Sequence, residues 1–381
     1  MKKKKYNLPP LSLYIHIPWC IKKCPYCDFH SYKNSNKVSE KSYIKHLLKD
    51  LKNDKKLVLN RTIQSIFIGG GTPSLLKNSS IKYLLNQIKK ILPVAKKAEI
   101  SIEINPNSNQ KNKLNQYLKD GINRLSIGIQ TFHNHLLKTL QRTYKKKEII
   151  SLLNSIKKTS NRNLNLDLMY GLPGQSIQEA LQDLYTTIYL KPEHISWYQL
   201  DIEPNTPFYS KNIILPSIKE IKKIQREGKK ILKQAGYTQY EISAYSSKKK
   251  YQCLHNLNYW NFGDYLGIGC GAHGKITQKN KTIIRTVKIK NDMLYIKNKY
   301  IQKKYIVSNK DLPFEFFLNT FRLLKPIKYK NFEQSTNIKK EKIKKKILIA
   351  QTKGYLDITD KSWNITERGR EQLNNLMSIF L

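Results

Sequence analysis

Three cysteines within eight residues, Cys20, Cys24 and Cys27, are the side chains best suited to chemistry. In a reducing compartment, thiols this close together read as metal ligands before they read as disulfides. Two sites fit the C-x3-C-x2-C spacing. His30 could complete a four-ligand zinc site. Alternatively, the three thiolates could hold an iron–sulfur cluster and leave one iron free for a substrate or cofactor. Spacing alone leaves both open. The two remaining cysteines, Cys253 and Cys270, are far away in sequence and read as small buried residues. A second candidate is Gly69-Gly70-Gly71-Thr72-Pro73-Ser74, where glycines let backbone N–H groups approach a ligand closely. Tight turns use glycine too, so this run needs its context.

That context is a series of β-like segments. The cysteines follow one at residues 12–17, and five more come at 65–70, 99–105, 124–130, 163–170 and 194–203. Lengths of chain suited to helices separate them, which implies βα units and a parallel sheet, a barrel or partial barrel of six strands. Three of the strands alternate strictly. Ile100, Ile102 and Ile104 interleave with Ser101, Glu103 and Asn105; Leu125, Ile127 and Ile129 with Ser126, Gly128 and Gln130; Leu164, Leu166 and Leu168 with Asn163, Asn165 and Asp167. Period two places each set on one face. A closed barrel fills its lumen with aliphatic side chains, so a polar inner face points to a cavity holding something polar. Ligands bind at the C-terminal ends of such strands, where the glycine run and the cysteines both fall.

Composition narrows the setting. The 381 residues suggest roughly two to three domains. The 39% hydrophobic content is enough for a large core and argues against wholesale disorder. No run approaches the roughly 18 apolar residues of a membrane-spanning helix. Residues 1–5 could pass for the start of a signal peptide, but Pro9, Pro10, His16 and Pro18 break up the stretch where its apolar segment would lie. A cytoplasmic location is expected. The net charge of +43 invites a nucleic-acid reading. Only nine of the 70 basic residues are arginine, however, and phosphate and base recognition favours the arginine fork. Lysines spread through an Ile-, Asn- and Tyr-rich chain fit compositional drift better. No specific nucleic-acid partner is expected; nonspecific RNA contact and peripheral contact with an anionic membrane are the weaker readings.

The stretch Tyr14-Ile15-His16-Ile17-Pro18-Trp19-Cys20, continuing to Cys24-Pro25-Tyr26-Cys27-Asp28-Phe29, resembles the radical S-adenosylmethionine (SAM) enzymes. It is similar to the branch that contains oxygen-independent coproporphyrinogen III oxidase and the HemW haem chaperones. The GGGTPS loop, SIEINP at 101–106, NRLSIGIQ at 123–130, DLMYGLPGQ at 167–175 and DIEPNTP at 201–207 follow that branch in order, as do HNLNYW at 255–260 and LPFEFF at 312–317. The resemblance implies a [4Fe–4S] cluster on Cys20, Cys24 and Cys27. It implies that Gly70, Gly71 and Thr72 meet the amino end of SAM, and that Glu103, Gln130, Arg142 and Asp167 contact the rest. Tyr14 and Tyr26 are expected to flank the cluster and adenine.

Two departures separate the members of that branch. The oxidase pattern carries a further cysteine two residues after the third ligand, and here that residue is Phe29. The oxidase also has a long arm before the cluster motif, and here 19 residues precede Cys20. Both point to the haem-chaperone members, as does the HNxxYW motif at 255–260, which is associated with haem in them. An imidazole can ligate haem iron, so His255 is the expected haem contact, with His273 second and Cys270 less favoured. The bland alternative is a packed aromatic corner. The resemblance thus implies a chaperone that carries haem to acceptor proteins, respiratory ones among them, with oxidative decarboxylation of coproporphyrinogen III as the rival enzyme activity.

Past residue 300 a helix at 311–324, a lysine-rich helix at 339–352, a hairpin at 355–365 and a final helix capped by Thr366 resemble a winged-helix unit. The whole chain therefore reads as α/β, a partial (β/α)6 radical SAM barrel with a smaller C-terminal α+β domain. The expected divisions are a core at 1–237 with cluster and SAM site, a connecting region at 238–300 and a C-terminal domain at 301–381.

Overall fold

The structure is a computed structural model that describes residues 8–35, 37–106, 111–157 and 163–381. The lysine run at 2–5 lies outside the described residues. Six parallel strands form the barrel wall: β1 (Leu11–Ile17), β2 (Ile63–Gly70), β3 (Val94–Ile104), β4 (Arg124–Gln130), β5 (Leu164–Tyr170) and β6 (His194–Gln199). They pair in that order, each parallel to the next. Helices α1 (Glu40–Asp54), α2 (Asn78–Ile91), α3 (Lys111–Lys119), α4 (Lys146–Lys157), α5 (Ile177–Leu190) and α6 (Ile218–Gln234) alternate with them. The aliphatic set of each alternating strand lies in one continuous core with the apolar stripes of these helices.

Local chemistry sets the helix starts. Ser176 and Ser217 each accept a hydrogen bond from the backbone N–H three residues on, and Glu179 and Glu220 answer from that position. These reciprocal caps satisfy orphan donors of the first turn. Within α6, Gly228 is a packing requirement. A Cβ there would fall 2.0 Å from the Trp197 ring on β6, so only glycine lets the helix lie that close. The cost of a glycine in mid-helix, about 1 kcal/mol, is offset by burial of the indole.

The sheet continues beyond residue 237 on both sides. β7 (Ala244–Ser246) adds antiparallel to β6. β8 (Asp264–Ile268) adds parallel to β1 on the opposite edge, followed by the antiparallel β9 (His273–Thr277), β10 (Ile283–Lys288) and β11 (Ile301–Ile306). The glycine-dense segment 267–274 is therefore the β8–β9 turn. The connecting region is built into the sheet, with β8 as a seventh parallel strand. Buried ion pairs fix this edge: Lys275 lies 2.9 Å from Asp264, and Lys288 lies 2.5 and 2.7 Å from Asp50 and Asp54 of α1.

Helix α7 (Leu254–Trp260) carries the HNxxYW sequence and lies against β1, β2 and β8. A second core is built on α8 (Leu312–Thr320), where Phe317 stacks on Phe321 and Phe332 at 4.6 and 5.6 Å. This core also takes in Phe262 and Ile283. α9 (Tyr329–Thr336), α10 (Lys344–Thr352), a hairpin of Leu356–Ile358 with Ser362–Ile365 and a short helix capped by Thr366 complete it.

Candidate functional site

The cysteine loop is stitched to the glycine loop at the open end of the barrel. Trp19–Cys20 pairs with Tyr32–Lys33, which closes the loop. The Gly71 and Thr72 N–H groups donate to the carbonyls of Ile17 and Trp19 at 2.7 and 2.8 Å. Gly70 has φ +115°, and a Cβ on it would fall 2.7 Å from the His16 ring; one on Gly71 would fall 2.6 Å from the Trp19 carbonyl. The glycines thus serve a close approach of two loops. His16 is held between the Tyr14 hydroxyl, which donates to Nδ1 at 3.0 Å, and the His30 carbonyl, which accepts from Nε2 at 2.7 Å.

A cavity of about 330 Å³ opens beside this junction. Cys20, Cys24, Cys27, Tyr26, Gly70, Gly71, Thr72, Glu103, Gln130, Arg142 and Asp167 all line it, so eleven of the thirteen expected site residues meet at one place. Tyr14 sits behind the wall, stacked on Phe67 at 6.3 Å. His255 lies elsewhere, at the far end of the lumen.

The donor set suits a cluster better than a zinc ion. Burial pushes the Cys20 and Cys27 thiols up, so a bound cation is needed to hold them as thiolates. Arg142 Nη1 already donates to Cys24 Sγ at 3.2 Å. His30 is turned away, its Nε2 donating to the Lys290 carbonyl at 2.7 Å.

The polar strand faces meet in the cavity as the alternation requires. Burial, and then the charge of Asp167, push the Glu103 carboxyl up to about 8, against the Gly70 N–H that donates to it at 3.1 Å. Glu103 and Asp167 share the cavity wall with the guanidinium groups of Arg124, Arg142 and Arg322, a mixed lining that suits a guest such as SAM, which carries an ammonium, a sulfonium and a carboxylate. Asp167 is oriented from below: Ser126 Oγ donates to it at 3.0 Å and Asn165 Nδ2 at 2.8 Å. Gln130 adopts φ +64°, a left-handed conformation rare outside glycine and concentrated at functional sites. Its Oε1 accepts from Arg142 Nη2 at 2.5 Å and lies 2.8 Å from the Tyr144 hydroxyl.

Sequence reasoning missed several cavity residues. Asn105 and Ser126 lay inside motifs singled out for other members. Asn105 Nδ2 donates to Thr72 Oγ1 at 3.0 Å, and its Oδ1 accepts from Arg142 at 3.2 Å. Trp260 and Arg322 enter from the far side; the Arg322 guanidinium lies 4.5 Å over the Trp260 ring. No local pattern announces Arg322, which stands just past α8 and reaches the cavity through tertiary packing alone.

His255 seals the opposite end of the lumen. Its ring packs 5.1 Å from Phe67 and 6.4 Å from Tyr14, with Nδ1 3.2 Å from Ser65 Oγ. Burial, with Arg124 second, pushes it down to about 3. Glu99 caps α7 by accepting from the N–H groups of Leu254 and His255 at 3.0 and 3.1 Å, and the Cys253 thiol donates to it at 3.5 Å. The ring is thus packed among aromatic neighbours with one nitrogen bonded to Ser65. His273 stands exposed at the start of β9. Burial raises the Cys253 and Cys270 thiols to about 12, which keeps both protonated.

Comparison with known proteins agrees with this architecture. The Radical SAM superfamily pattern matches residues 14–184, and that of the HemN C-terminal domain matches 307–371. Heme chaperone HemW of Buchnera aphidicola subsp. Schizaphis graminum is 55% identical over 376 residues, covering 99% of this chain and 100% of that protein. Heme chaperone HemW of Escherichia coli (strain K12) is 46% identical over 375 residues, covering 98% and 99%. The solved structure of coproporphyrinogen III oxidase (HemN) from Escherichia coli superposes with a TM-score of 0.83 at 22% identity, over 99% of this chain and 91% of that one; at that identity it bears on the fold.

Proposed function

The chain belongs to the HemW family of radical SAM proteins, and we propose that it is a haem chaperone that binds haem and hands it to acceptor proteins, respiratory haem proteins among them, in the cytoplasm. The observation that carries the reading is the end-to-end identity with proteins named as heme chaperones. Cys20, Cys24 and Cys27 are proposed to hold a [4Fe–4S] cluster. When bound, such a cluster supplies the low-potential electron that reductive cleavage of a sulfonium requires.

The chain's own residues then have separate tasks. Gly70, Gly71 and Thr72 present backbone to the amino end of SAM, and Glu103 exchanges its proton for the ammonium charge. Gln130 and Arg142 act as one unit through their hydrogen bond, with Arg142 also fixing Cys24. Asp167 faces the remainder of SAM, held by Asn165 and Ser126. Tyr26 lines the cavity beside the cysteines, with Tyr14 supporting the wall from behind. His255 keeps its assignment to haem, which requires its imidazole to leave Ser65 or to act through it.

Anaerobic reconstitution and three parallel assays test the reading. A chaperone binds haem with a Soret band, transfers it to an apo-acceptor, and forms no protoporphyrinogen from coproporphyrinogen III. Protoporphyrinogen together with stoichiometric 5′-deoxyadenosine would replace the chaperone with the oxidative decarboxylase.

A further inference from the structure

The cluster cavity is not the largest space in the molecule. A groove of about 1120 Å³ lies at the closed end of the barrel, between the first residues of β1 and β2, the outward face of α7, and α9 of the C-terminal region. Helix α7 is therefore a partition. Asn256 and Trp260 face the cluster cavity, whereas Leu254, Leu257 and Asn258 line the groove.

We propose that this groove holds the haem cargo, its macrocycle against Leu254 and Leu257 and its two propionates toward the lysines of the rim. The proposal rests on the haem-chaperone reading and adds where the cargo sits. Size is the first argument: ligand pockets span about 300–1,000 Å³, so a cavity of about 330 Å³ lined by the cysteines is filled by SAM, while the groove accommodates a tetrapyrrole. Charge is the second. Lys97, Lys281, Lys330 and Lys339 surround the groove, and its carboxylate, Glu333, accepts from the Lys340 N–H at 3.1 Å. Four cations around a wall of Leu254, Leu257, Ile338 and two prolines, with amide and hydroxyl side chains among them, suit a flat dianion with an apolar ring. The third is position. Ser65 lines the floor, and its Oγ meets His255 Nδ1, so the imidazole lies one hydrogen bond behind the groove.

Haem titration of the reconstituted protein tests the site through surface changes that spare the core. Lys97 and Lys330 are exposed, and Leu254 is 49% exposed, so charge there is compatible with folding. The Lys97→Glu/Lys330→Glu protein and the Leu254→Glu protein should each bind haem at least tenfold more weakly, with cluster absorption and SAM affinity unchanged. Haem dimethyl ester, which lacks the carboxylates, should be insensitive to the lysine reversal. Saturating SAM should leave haem in place. Parental haem affinity in both variants, or displacement of haem by SAM, would overturn the groove while leaving the chaperone reading intact. A parent protein that binds no haem would overturn both.

Discussion

Two glutamates four residues apart on one strand, Glu99 and Glu103, face the same lumen at opposite ends. At the closed end, Glu99 accepts from two backbone N–H groups and a thiol, and the surrounding network is tight. His194 Nδ1 donates to Asn165 Oδ1 at 2.6 Å, and the Tyr240 hydroxyl donates to its Nε2 at 2.8 Å. At the open end, Glu103 has one backbone donor and a titration point near neutrality. The lesson is that a polar lumen is not uniformly a binding site. Where polar groups are held by several partners they specify packing; where partners run short, they await a ligand.

The largest expected effect concerns the open end. Cys24→Ala should lose the iron–sulfur charge-transfer absorption after anaerobic reconstitution, as should the alanine variants of Cys20 and Cys27. Cys253→Ala, at the closed end, and Cys270→Ala, in the β8–β9 turn, whose thiols are buried and protonated, should keep it. A full cluster in Cys24→Ala would detach the cysteine loop from the cavity's chemistry.

The paired glutamates give the next contrast. Glu99→Gln replaces an acceptor of three bonds with an amide that offers one acceptor oxygen and two competing donors. It should cost about 3 kcal/mol of unfolding free energy, read by denaturant titration, with SAM affinity intact in the folded fraction. Glu103→Gln imitates the protonated acid already present at neutral pH and should change stability by less than about 1 kcal/mol. It should weaken SAM by about ten- to a hundredfold, the worth of one buried bond to a charged group. Equal stability losses at both positions would erase the distinction between the two ends.

Much of this was legible in the sequence, for a definite reason. Strict alternation in β3, β4 and β5 announces a polar face, and the cysteine and glycine runs announce loops, because both signals are local. The closure of the lumen is not local. Leu11–Ile15 pairs with Asp264–Ile268 across some 250 residues, and nothing in DYLGI distinguishes a parallel barrel strand from a turn flank. For the same reason the motif does not reveal that α7 sets His255 beside Phe67 and Ser65. Arg322 was invisible because its partner Trp260 lies 62 residues earlier.

The acid at the open end should also couple SAM binding to pH. Glu103 titrates near 8 without ligand, and the arriving cation favours its charged form, so binding should release a proton. SAM affinity should therefore rise with pH through neutrality up to about 8, where the amino group of SAM begins to lose its own proton and the gain ends. Calorimetry in buffers of different ionisation enthalpy reads the proton directly. A flat profile, or proton uptake, would place the ammonium away from Glu103.

The smallest effect belongs to the closed end and separates packing from ligation. His255 titrates near 3 in the folded protein against 6.5 for a free imidazole. Because its folded value is depressed, the unfolded chain binds more protons between those limits. The stability it contributes is full above pH 6.5 and drains away as pH falls toward 3, at most about 1.4 kcal/mol per pH unit. His255→Asn keeps a polar partner for Ser65 and does not titrate in this range. Its stability at pH 7 should drop by about 1–2 kcal/mol from lost ring packing, while its acid limb becomes shallower than the parent's. An unchanged acid limb would mean that the imidazole is already solvated, and the closed end would then resemble the open one.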